Sequence, residues 1–142
     1  MRRRTRLLLA GLGFAVAAGL ALGFTLTRGG PENAFAQGPP GVLASGTLKT
    51  VSWGTNGTVT VERTRTGKVI LRFSRDFKTQ RAPALYVHMG SRRMVLQRAW
   101  GEQIYVLSDA GPAALHATVQ VFCEKCNKAW GAAQLRPANV AG

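Results

Sequence analysis

The sequence predicts a single all-β domain, an antiparallel sandwich or barrel, preceded by one N-terminal hydrophobic helix. Three observations carry that expectation. Apolar residues recur on every second position in short runs, as in Val69, Leu71 and Phe73 or Leu85, Val87 and Met89. Turn-forming residues interrupt these runs roughly every 8–12 residues, the spacing of small antiparallel folds. Beyond the N-terminal segment, no stretch of about eleven residues or more keeps the apolar spacing of an amphipathic helix. At 142 residues, 46% of them hydrophobic, the chain has room for one ordinary domain with a workable core.

The first element is the N-terminal segment, residues 1–26. Arg2, Arg3, Arg4 and Arg6 precede an uncharged run over 7–26, and Arg28 restores charge. A helix crossing the ~30 Å hydrocarbon core needs roughly 20 apolar residues. The arginines would stay on the cytoplasmic side and send the rest of the chain outward. The rival reading is a cleaved signal peptide, because Ala34, Phe35 and Ala36 fit a small-x-small site before Gln37. Signal cores usually run only ~7–15 apolar residues, which favours a retained anchor. Both readings put the domain outside the cytoplasm, membrane-anchored in one case and secreted in the other.

Residues 27–43 are rich in Gly and Pro without periodicity and read as a linker. The β-domain is expected over 44–136, with 137–142 as a tail. Strands are expected at 58–61, 69–73, 85–89, 94–98, 103–107, 117–123 and 129–135, with a hairpin turn at 65–68. Trp53, Trp100, Trp130, Tyr105 and Phe122 read as core aromatics before they read as ligand platforms.

Charge narrows the partners. Lys and Arg number 19 against 6 Asp and Glu, a net charge of +13. Beyond residue 40, 14 basic residues still face 5 acidic ones. Such a surface would attract anionic lipid, an anionic wall polymer or an acidic protein. Nucleic acid is not expected as a partner, since no nucleic-acid-binding motif accompanies the charge. The cations are scattered along strands and turns, the pattern of a solvated sheet face. The chain has no Ser-His-Asp pattern, phosphate-binding loop or paired carboxylates, so hydrolase chemistry is poorly supplied.

The chemistry visible in the sequence lies in Cys123 and Cys126, a C-x-x-C pair. Such a pair can close a local disulfide or exchange electrons by thiolate attack. Outside the cytoplasm a bridge is the default state. Its small loop closes little chain entropy, so its stabilising value is modest. Lys125 and Lys128 would favour thiolate at a nearby sulfur. Alternation through Val119 and Val121 puts Cys123 on the apolar face at a strand end, and Cys126 in the following loop. Asn127 stands where covalent haem attachment needs His, and two cysteines are half of a structural zinc set. His88, Met89, His116 and Cys123 include blue-copper ligand types, though not in the usual late cluster. No residues are assigned to a metal site, a metal carrier stays a third reading, and the sequence leaves any cofactor open.

Several of these segments together resemble the DM-thirteen domain family. They are 57–61, 69–73, 76–79, 83–87, 101–105 with its Gly-x-Gln-x-Tyr order, 119–123 ending in Cys, and the closing strand 130–135. The resemblance covers about residues 44–136. It implies an extracytoplasmic β-domain taking part in electron transfer, with Cys123 as the redox residue. Ala84 departs from the family's acidic residue after the proline, and Cys126 is an addition to its pattern. The functional expectation is a membrane-tethered redox domain using Cys123, with Cys126, and a redox or envelope protein as partner. It would transfer electrons or bind rather than turn over substrate. The alternative is a basic adhesion or interaction module whose cysteines form a local staple.

Overall fold

Alternation is what builds the sheet. In the computed structural model, which describes Phe35 and residues 38–138, strand β2 (Gly57–Arg63) buries every second residue. Strands β4 (Leu85–Met89) and β7 (Thr118–Cys123) do the same, as a half-buried strand should. The remaining strands are β1 (Gly41–Thr50), β3 (Val69–Phe73), β5 (Arg92–Val95), β6 (Gln103–Val106), β8 (Lys128–Gln134) and β9 (Arg136–Pro137). The N-terminal segment, on which the anchor and signal-peptide expectations rest, lies outside the described residues. Among the described residues, no helix is long and apolar enough to cross a membrane.

The strands form one antiparallel sheet in the order β5-β4-β7-β8-β1-β2-β3-β6, with β9 also on β1. Its two outer strands approach each other. Gln97, just past β5, donates from Nε2 to the Ile104 carbonyl at 2.7 Å and from its N–H to the Tyr105 hydroxyl at 3.0 Å. The sheet is therefore a nearly closed barrel. Inward side chains fill it, among them Val61, Leu71, Phe73, Val87 and Val121, all 0% exposed. Phe73 packs edge-on against Phe77 and Tyr105, with centroids at 4.7 and 5.7 Å, a geometry aromatic pairs favour.

The all-β class and most expected strands are present. Four particulars differ. Strand β5 starts at Arg92, two residues before its expected position, because Met89 pairs with Arg92 across a two-residue turn. Strand β1 begins inside the expected linker, and the pattern hides it because its inward positions include small residues. At Gly46 a Cβ would stand 2.6 Å from the Gln134 carbonyl, so the β8 backbone occupies that space. A short 3-10 helix, Pro112–His116, precedes β7. Finally, Trp53 and Trp100 are each 49% exposed and Phe122 faces outward, leaving Trp130 and Tyr105 as the buried members of the expected aromatic set.

Candidate functional site

The β7–β8 hairpin carries both cysteines. Val119, Val121 and Cys123 point inward and are fully buried, so the strand delivers the Cys123 side chain into the core. Cys123 pairs in register with Lys128, leaving 124–127 as the loop. That loop turns through Asn127 at φ 53, a conformation Asn tolerates better than most residues. Cys126 is exposed in it. The two sulfurs are bonded at 2.05 Å, with Cα atoms 5.2 Å apart. The Cys126 N–H also donates to Cys123 Sγ at 3.1 Å. The bridge thus has one buried end and one reachable end, the placement that alternation predicts.

Charge around the loop is mostly positive. Lys125 and Lys128 are exposed beside Cys126. Glu124, the acid between the cysteines, is held by Arg93, whose Nη2 donates to Oε2 at 2.6 Å and whose Nε donates to Oε1. That pairing keeps the Glu124 carboxyl below the usual carboxylate range. His88 lies 3.5 Å from the same carboxylate and stacks on Phe122 with centroids 4.5 Å apart. The Arg93 guanidinium also covers the Tyr86 ring at 3.8 Å. The outer face of β4, β5 and β7 is consequently an ordered aromatic and ionic patch beside the disulfide.

A cleft opens from the same end of the barrel. Cys123 is the register partner of Leu85, and the Glu124 N–H donates to the Ala84 carbonyl at 3.0 Å. Ala84 and Leu85 in turn line a concave space of about 790 Å³ between segments 81–86 and 95–100. Gln103 braces the second wall from within. It is 2% exposed, and its Nε2 donates to the Arg98 carbonyl at 2.9 Å, while its Oε1 accepts from the Arg98 N–H at 3.3 Å. The Tyr105 hydroxyl donates to the same Oε1 at 2.6 Å. Burial pushes that hydroxyl up to about 12.

No family model matches the chain, and no curated protein or solved structure shows significant similarity to it. Its chemistry is therefore read from its own side chains. Cys123 and Cys126 are brought together, whereas His88 and Met89 lie on β4 and His116 on the 3-10 helix, and no cluster of potential metal ligands among the described residues joins them. No group of three or more His, Cys, Asp or Glu side chains placed to hold a metal ion occurs among the described residues. The cleft went unnoticed in the sequence. Its signal was Gln103, a polar residue at an inward position of an alternating strand, where burial demands hydrogen-bond partners.

Proposed function

We propose that this chain is an extracytoplasmic, membrane-tethered domain of the DM-thirteen kind that exchanges electrons through Cys123 and Cys126. The observation that carries the reading is the bridge itself, with exposed Cys126 flanked in the chain by exposed Lys125 and Lys128 and its partner sulfur receiving a backbone N–H. A thiolate of a partner dithiol would attack Cys126 Sγ, breaking the S–S bond and releasing Cys123 as thiolate. The partner's second thiolate would then attack the mixed disulfide, releasing Cys126 and leaving the partner oxidised by two electrons. Neighbouring cations and the donated N–H would stabilise the thiolates formed. The partner would be a redox or envelope protein.

A second reading is favoured by one observation, the complete burial of Cys123. Apolar surroundings disfavour a thiolate leaving group and make a bridge inert. The domain would then be a basic interaction module for an anionic lipid, wall polymer or acidic protein, with the bridge as a staple. Thiol counting against redox buffers on the full chain separates the two. A reversible couple well above roughly −300 mV, lost in Cys126→Ser, supports electron exchange. A bridge that stays closed throughout that range sinks it and leaves the binding module.

A further inference from the structure

The cleft between 81–86 and 95–100 has a composition that neither reading uses. Two arginines line it, Arg81 and Arg98, and no acid does. The ion pairs among the described residues engage Glu62, Glu102 and Glu124, and none includes Arg81 or Arg98. Everything else along the lining is uncharged and largely apolar, including Pro83, Leu96 and Val95, the last 64% exposed. Trp100 closes one side, 49% exposed, with the Arg81 guanidinium held over its ring at 4.4 Å.

Such a combination selects its occupant. Guanidinium groups without a carboxylate partner favour an anion, and they hold a carboxylate through paired N–H donors. A large exposed indole beside aliphatic side chains favours a flat apolar body. The space, about 790 Å³, is within the range of small-molecule sites and too small for a folded partner. It is also preorganised. Gln103 clamps the Arg98 backbone on both sides, and Tyr105 and Gln97 tie that loop to β6. The Thr79 N–H donates to the Ala99 carbonyl at 2.7 Å, fixing the wall from the other direction. The wall's backbone therefore adds little ordering cost when a ligand arrives, and the cost that remains is that of the two exposed arginine side chains.

The geometry points to this cleft as a binding site for a small aromatic carboxylate, with Arg81 and Arg98 receiving the carboxylate and Trp100 stacking the ring. The site does not depend on the chemistry of the disulfide. The experiment titrates 1-naphthoate, and separately its neutral isostere 1-naphthamide, into the full chain in neutral detergent while following the tryptophan indole N–H signals by NMR. Naphthoate should move the Trp100 signal to saturation and leave those of Trp53 and Trp130 in place. Naphthamide should bind at least about ten-fold more weakly, the worth of one charge-assisted contact. The doubly substituted Arg81→Gln, Arg98→Gln chain should bind both compounds equally, and its unchanged thermal midpoint would show that the fold survives. Trp100→Leu should weaken both. The proposal is overturned if naphthamide binds as well as naphthoate, if the double substitution leaves naphthoate affinity unchanged, or if no saturable shift occurs at Trp100.

Discussion

Ala84 sits at φ 60, in the left-handed region where a Cβ costs roughly 1–2 kcal/mol. It follows Pro83, which fixes the first central position of a turn whose second position wants a positive φ. Glycine would relieve the clash but has more conformational freedom to lose. Ala84→Gly is therefore expected to stabilise the domain by about 0.5 kcal/mol in urea unfolding. Asp would also fit this backbone better than Ala, since Asp and Asn visit that region readily. At Cys126 the balance is different. A four-residue loop gives a bridge worth about 2 kcal/mol on chain entropy alone, so Cys126→Ser should cost no more than that. A much larger loss would mean the bridge shapes the hairpin rather than merely closing it. Tyr105 supplies a pH test. Its hydroxyl titrates near 10 when unfolded and at about 12 in the fold, so the protonated native form contributes stability that is complete below about 10. That contribution is lost as pH rises toward 12. Tyr105→Phe should flatten this alkaline slope and cost about 1–3 kcal/mol at neutral pH, because Gln103 loses a buried partner.

Among the elements, those with inward β-branched or large apolar residues were legible. β2, β3, β4 and β7 each carry Val, Leu, Phe or Met on alternate positions, and the pleat alone decides which face is buried. β1 was not legible, for a physical reason. Its inward face holds Ala44, Gly46 and Leu48, trimmed so that the chain can pass close to β8, and small residues leave no periodic signature. β8 makes the complementary concession at Gly131, where a Cβ would come within 2.5 Å of the Thr55 side chain. Gly131→Ala is thus expected to destabilise by about 1–3 kcal/mol, measured by urea midpoint, since Thr55 is buried and hydrogen-bonded to Thr79 at 2.8 Å. The C-x-x-C pair was equally legible, because alternation along β7 settles which cysteine is buried. Cleft residues were not, because Arg81 and Arg98 come from separate loops joined only by the fold. Nothing in local spacing records that meeting.

For the whole molecule, the sheet order matters more than any one strand. The β7–β8 hairpin inserts between β4 and β1, so strands distant in sequence complete the core. Phe73→Ala would remove a ring shared by Phe77 and Tyr105 and should cost about 3–5 kcal/mol, a large part of a small domain's roughly 5–15. A net charge of +13 acts at the same scale. Any association with anionic vesicles should weaken steeply above about 0.1 M salt, where screening shortens to ~10 Å. Sedimentation of the full chain with such vesicles across a salt series would measure it. The two ends of the described β-domain are neighbours too. Ala44 pairs with Pro137, and the Ala138 N–H donates to the Leu43 carbonyl at 2.8 Å. A short glycine-serine link could therefore join the two ends, with new termini opened in the exposed turn between β2 and β3. Such a circular permutant would keep every strand pairing while moving the domain's termini to the β2–β3 turn.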